Sequence, residues 1–284
     1  MYNYQSRIRL GRVVLNVVNL DLQTRFYQQV LGLSILDQGQ AWVELGIKES
    51  GLNLIRLEEV PASEIVTYGL YHFAILLPSR ADLGDFLRHS LVNQVPLQGA
   101  SDHGYSEAIY LNDTEGNGIE IYRDKPVSDW DIQIGKILGV TEVMDGDGVL
   151  ASAHGEYRGY QMPAGTKMGH FHYSVNNAAK LSVFYRYLFD IKENQAFSTA
   201  SWIADGGYHH HFAFNHWAGA GLAKRSQGDP GLNHVQILVS ESSYLKFVAE
   251  RALALKALVE SNHQSLVIED PVGNRMVVKL EKMQ

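Results

Sequence analysis

A four-fold repeat constrains this chain more than any other feature. Four segments, GRVVLNVVNL from Gly11, YHFAILLPSR from Tyr71, GHFHYSVNNA from Gly169 and NHVQILVSES from Asn233, each read as a β-rich run entering an amphipathic helix. The second residue of each segment, its lead, is Arg12, His72, His170 or His234. Fourteen residues later stands an apolar helix residue, Phe26, Phe86, Phe184 or Val248. A constant offset marks an internal repeat, and repetition fixes architecture because one copy alone cannot bury its apolar face. Imidazole recurs at the lead, so the repeat also suggests where chemistry sits.

Each copy predicts a βαβββ unit. In the first, Val13–Val18 forms a strand, Asn19 or Asp21 caps a helix through Gln28–Leu31, and Gly32 ends it. Short strands follow around Ser34–Leu36, Trp42–Leu45 and Leu52–Leu57. The second unit has a strand at Phe73–Leu77, a helix after Pro78–Ser79, and last strands at Glu107–Leu111 and Gly118–Tyr122 around a polar turn, Asn112–Asn117. The third runs from Phe171 to about Trp217. The fourth runs from Val235 to Lys282, with Asp270–Asn274 as the matching turn. Leads are 60, 98 and 64 residues apart, and the excess falls in Asp124–Lys167, a Gly- and Pro-bearing stretch without sustained periodicity. The expected organisation is α+β, with four modules in two halves, 1–125 and 166–284, joined by a connecting segment at 126–165.

Composition narrows the function. Apolar residues make up 45% and charged residues 19%, as in ordinary globular proteins, and the net charge of -7 comes without the basic stripe of a nucleic-acid binder. Cysteine is absent, which excludes disulfides, thiolate zinc sites and a cysteine nucleophile, and fits a reducing compartment. The opening MYNYQSRIRL has no apolar signal core, and no run approaches the ~18 apolar residues of a membrane helix. A soluble, cytoplasmic protein with no membrane partner is expected.

Two histidines and one carboxylate on one face are a common way to hold Fe(II) while leaving positions open for substrate and O₂. Lead residues of paired units share a sheet face and converge. The carboxylate candidate is Glu120 in GNGIEIY, although an acid between Ile119 and Ile121 also suits a solvent face. At its register the fourth repeat has Val277 and the first Asn53. The third offers His209, His210 and His211, read as alternating inward and outward along a strand, with a solvated edge strand as the plain alternative. His172 rivals His170 on the same strand face; the shared register favours His170.

These segments, GLYHFAILLP, DHGYSEAIYLND, GNGIEIY and GGYHHH, resemble those of the vicinal oxygen chelate (glyoxalase/bleomycin resistance/extradiol dioxygenase) superfamily. Within it, the likeness is to catechol 2,3-dioxygenase-like bacterial proteins, and it covers nearly the whole chain. The resemblance implies the glyoxalase/bleomycin resistance/dihydroxybiphenyl dioxygenase fold. It also implies an extradiol ring-cleaving dioxygenase using Fe(II), with Mn(II) as an alternative, on a small aromatic diol and O₂. By the same resemblance His170, His72 and Glu120 match the family's metal ligands and His210 its acid–base histidine. Tyr110 matches an active-site tyrosine, and His103 lies close to a substrate-side histidine. A glyoxalase-like lyase or isomerase and a metal-free resistance-type binding protein share the fold and remain alternatives, and a homo-oligomer is open.

The chain departs from the family in where its ligands fall. Pairing modules one and two gives Arg12, His72 and Glu120, and pairing three and four gives His170, His234 and Val277; neither set is complete. Pairing two with three completes the triad, brings His210 near, and leaves Arg12, Asn53, His234 and Val277 as a degenerate set in which His234 is structural. Pairing two with four, giving His72, His234 and Glu120, is the other arrangement with three ligands.

Overall fold

The computed structural model describes residues 5–281; the expected end of module four at Lys282 lies outside them. All four βαβββ modules are present. Module one comprises β1 (Ile8–Val17), α1 (Leu20–Gln29), β2 (Ser34–Gln38), β3 (Trp42–Ile47) and β4 (Leu52–Glu59). Module two comprises β5 (Gly69–Leu76), α2 (Arg80–Val92), β6 (Leu97–Asp102), β7 (Ser106–Asn112) and β8 (Gly118–Asp124). The connecting segment is more structured than its pattern suggests, holding β9 (Asp131–Gln133), β10 (Lys136–Leu138), β11 (Glu142–Val143) and α3 (Gly146–Ala151). Module three has β12 (Lys167–Ser174), α4 (Ala178–Phe189), β13 (Lys192–Ala196), β14 (Ala200–Ala204) and β15 (Phe212–Asn215). Module four has β16 (Gly231–Val239), α5 (Ser242–Ala254), β17 (Leu258–Ser261), β18 (Ser265–Glu269) and β19 (Arg275–Leu280).

Local chemistry sets these boundaries. Seven residues after each lead stand Asn19, Ser79, Asn177 and Glu241, and each is the residue that precedes its helix. The first three accept a backbone N–H of the first turn, from Leu22, Asp82 and Lys180, which satisfies a donor the helix cannot. Glu241 makes no such bond. Helix α1 ends at Gln29, within the expected Gln28–Leu31, with Val30 as its C-cap and Gly32 in the left-handed conformation two residues further on.

The chain divides into two compact units. Among the described residues, one comprises Asn19–Glu59 and His72–Gly169; the other comprises 5–18, Val60–Tyr71 and 170–281. In the first unit the strands run β4-β3-β2 and β11-β6-β7-β8-β5, and in the second β17-β18-β19-β16-β1 and β12-β15-β14-β13. The first strand of module one thus pairs antiparallel with the first strand of module four, with Val14 opposite His234.

Within modules two, three and four the last strand returns to lie parallel to the first: β8 beside β5, β15 beside β12 and β19 beside β16. This return places lead and last-strand residues side by side. Two turns are built alike. The carboxylate of Asp113 accepts the backbone N–H groups of Glu115 and Asn117, and that of Asp270 those of Val272 and Asn274. Each is also held by a buried tyrosine from the preceding module's helix, Tyr27 to Asp113 at 2.8 Å and Tyr185 to Asp270 at 3.2 Å.

Candidate metal centre

In the first unit, β5 and β8 pair with Phe73 opposite Ile119 and Ala74 opposite Glu120. Side chains alternate along a strand, so His72, Ala74 and Glu120 share one face. His72 Nε2 lies 3.0 Å from Glu120 Oε2. Both residues are buried, at 6% and 3% exposure. Glu120 is therefore not a solvent-face acid. Ile119 and Ile121 fill the opposite face, packed toward α2, so both sides of β8 are covered.

Antiparallel β7 sets Tyr110 opposite Glu120, on the same face, with its ring 5.7 Å from that of His72. His103 is in the tight link between β6 and β7, where Gly104 takes a positive φ of 78° and donates its N–H to Asp102. The imidazole is held at both nitrogens, Nδ1 2.8 Å from the Val140 carbonyl and Nε2 2.6 Å from Tyr110 Oη. A carbonyl only accepts, so Nδ1 carries the proton; in the neutral ring Nε2 then accepts from the Tyr110 hydroxyl. Half-buried His103 is thus the partner of Tyr110. Beside them the Tyr105 phenol is pushed well above its ordinary range by burial and then by the charges of Glu120 and Asp124, and it stays protonated.

In the second unit, β12 pairs with β15, Phe171 opposite Phe212 and His172 opposite Ala213. Phe212 and Phe214 pack on Tyr185 of α4, as Tyr173 does, so His170 and His172 look the other way. His170 is 2% exposed, and its ring centroid lies 4.1 Å from that of His210. Two readings of the triple histidine need correction. His209, His210 and His211 lie in the loop before β15, not within a strand, and all three are buried, not solvated. Gly206 and Gly207, both at positive φ, turn the chain into this loop, and Asn194 Nδ2 donates to the carbonyls of Tyr208 and His209, each at 2.8 Å. By strand register, moreover, the module-three residue matching Glu120 is Ala213, not a histidine. His209 Nδ1 sits 2.8 Å from His210 Nδ1, which fixes the orientation of His210.

In the first unit buried His72 and Glu120 each offer one ligand atom, and in the second unit buried His170 offers another. Bonds of about 2.1 Å to a divalent ion put neighbouring donors roughly 3 Å apart, so the imidazole of His72 and the carboxylate of Glu120, 3.0 Å apart, suit two positions on one borderline ion. A second group of three, Asp82, Asp85 and His154, is more exposed and already engaged: Asp85 with Arg88 and His154, and Asp82 with Ser79. His234 bonds through Nδ1 to Asn233 Oδ1 at 2.8 Å, as a structural histidine does, and Asn53 donates to Glu44. Sequence reasoning missed the Val140 carbonyl that orients His103, and the side chain of Asn194. Neither leaves a motif, because one acts through its backbone and the other through a loop.

A family model described as the Glyoxalase/Bleomycin resistance protein/Dioxygenase superfamily matches residues 9–121. Across 98% of its length the chain is 34% identical to a protein of Bacillus subtilis (strain 168) named catechol-2,3-dioxygenase, covering 99% of that protein. The chain belongs to the glyoxalase/bleomycin resistance/dioxygenase superfamily. Its fold is similar to that of a putative dioxygenase from Bacillus subtilis subsp. subtilis str. 168 at a TM-score of 0.65 and 10% identity, covering 99% of this chain and 87% of that one. It is also similar to a V278E mutant of glyoxalase I from Zea mays, with a TM-score of 0.59 and 13% identity over 96% of this chain and 92% of that one. Among the described residues no helix is long and apolar enough to cross a membrane.

Proposed function

We propose that this protein is an Fe(II)-dependent extradiol dioxygenase that opens catechol-type aromatic diols with O₂, with Mn(II) as the alternative ion. One observation carries the reading: buried His72 Nε2 lies 3.0 Å from buried Glu120 Oε2, two donors for one ion, to which the proposal adds His170 as the third ligand. The homologue named catechol-2,3-dioxygenase supports it. Held by these three residues, the ion would supply the Lewis acidity that lowers the pKa of a diol hydroxyl.

The chain's own residues supply the proton chemistry. His210, oriented by His209 beside His170, takes a diol proton and later returns one as the ring opens. Histidine suits both steps because its ordinary pKa lies near working pH. Tyr110 faces the same side as His72 and Glu120. Its proton is committed to His103, so its oxygen presents a lone pair that accepts from a diol hydroxyl. Overall, the ring C–C bond beside the diol breaks, both atoms of O₂ enter the product, and a carboxyl group and an aldehyde result. A cysteine-free chain suits the reducing cytoplasm in which this work is expected.

The test is oxygen uptake with catechol after anaerobic loading with Fe(II). Stoichiometric uptake with a conjugated ring-opened product supports the proposal. Bound metal with neither uptake nor product would overturn it in favour of a lyase.

A further inference from the structure

The connecting segment touches the first unit's candidate site through one glycine. Its hairpin, β9 and β10, is seated by two buried side chains, Trp130 and Ile137. Trp130 donates from Nε1 to the Lys125 carbonyl and meets the Tyr105 ring edge to face, at 6.4 Å. Tyr105 is itself 6% exposed and stacks on the His103 imidazole at 6.2 Å. Beyond the hairpin the chain runs against this phenol at Gly139 and reaches Val140, which grips His103 twice. The Val140 N–H donates to the His103 carbonyl at 3.2 Å, and the Val140 carbonyl accepts from Nδ1 at 2.8 Å.

A Cβ at position 139 would lie 2.7 Å from Tyr105 Cε1 and 3.0 Å from Tyr105 Oη. Two carbons in contact sit roughly 3.5–4.0 Å apart, so ring or strand would have to give by about 1 Å. The ring is held between Trp130 and His103, which leaves the strand to move. No positive φ calls for glycine here; the close approach does. A shift of that size takes the 2.8 Å bond past about 3.5 Å, where a hydrogen bond is no longer made. Without the carbonyl, nothing keeps the imidazole proton on Nδ1. On Nε2 it would donate to Tyr110 Oη and turn the phenol's own hydrogen away. We infer that Gly139 is a positioning residue: by letting the connecting segment lie on Tyr105, it holds the Val140 carbonyl against His103 and so sets the direction of the hydrogen bond between His103 and Tyr110. Its effect on turnover rests on the proposed diol chemistry, in which Tyr110 presents a lone pair; its effect on the imidazole does not.

The experiment is long-range ¹H–¹⁵N NMR of the imidazole nitrogens in the full-length protein, at about pH 8, where an ordinary imidazole is neutral. The His103 signals are assigned by their loss in His103→Phe. Oxygen uptake with catechol is measured in parallel on Fe(II)-loaded protein. Wild type should carry the His103 proton on Nδ1. Gly139→Ala should shift it wholly or partly to Nε2 and lose about 10–10²-fold in kcat, with metal content unchanged and KM within about twofold. In a Tyr105→Leu background the same change should do little. Gly135→Ala strains the tip of the hairpin, at a φ of 73°, but meets nothing there, and should leave both readouts at the wild-type values. An Nε2 proton in wild type, which needs no variant to fold, or an unchanged tautomer in Gly139→Ala would overturn the proposal. A changed tautomer with unchanged kcat would uphold the hold on His103 and refute the part given to Tyr110. Absence of uptake in wild type would sink the dioxygenase reading, and the NMR would still decide on Gly139.

Discussion

Glu120→Gln separates the metal from the fold. The side chain keeps its volume but loses its charge, in a position 3% exposed and 3.0 Å from His72 Nε2. Without metal, the buried carboxylate carries a desolvation cost that the amide does not, so the metal-free variant should be as stable as wild type or more so. With metal the order reverses. At a free ion concentration a hundred times the dissociation constant, binding stabilises the wild type by about 2.7 kcal/mol. A chain of 284 residues unfolds with an entropy near 0.6 kcal/mol per kelvin, so this is a rise of about 4–5 °C in Tm. If the variant binds about a hundredfold more weakly, the same ion concentration gives about 0.4 kcal/mol, under 1 °C. The assay is thermal unfolding followed by circular dichroism, with and without Fe(II), under nitrogen. An equal metal-induced rise in wild type and Glu120→Gln would refute Glu120 as a ligand.

Three further outcomes are expected. His210→Ala should keep one equivalent of metal and lose about 10²–10⁴-fold in kcat; loss of metal equal to that in His72→Ala would contradict its role as an acid–base group. Because His103 and Tyr110 form one hydrogen-bonded unit, His103→Phe, Tyr110→Phe and the double variant should lower kcat by similar factors, and additive losses would show that they act separately. Asp270 gives a signed pH dependence. Burial pushes its carboxyl up to about 6, against the hydrogen bonds from Asn274, Val272 and Tyr185, while its ordinary value is 3.8. The folded protein therefore binds the extra proton between those values, and this group's contribution to stability rises as pH falls from 7 through 6 towards 4. The span corresponds to roughly 3 kcal/mol. Asp270→Asn should flatten the profile of unfolding free energy between pH 4 and 7, and an unchanged slope would contradict the shift.

The repeat made most of the architecture legible, because a lead residue, a cap seven positions on and an apolar helix residue at fourteen recur with constant register. The βαβββ order follows from that pattern, as do the turns at Asp113 and Asp270. The adjacency of His72 and Glu120 was legible for the same reason: parallel return of the last strand brings these positions together in modules two, three and four. The triple histidine was misplaced because three like residues carry no period. The glycines before it, at positive φ, convert an expected strand into a buried loop. Strand β6 and the elements of the connecting segment were not anticipated, since LQGASD and the Gly-rich stretch after Lys125 alternate too weakly to signal strands.

Direct location of the ion decides the account. Crystals grown anaerobically with Fe(II) should show one anomalous difference peak at the iron edge, about 2.0–2.2 Å from His72 Nε2, a Glu120 carboxylate oxygen and one nitrogen of His170. A peak at Asp82, Asp85 and His154 instead, with none beside His72, would contradict it.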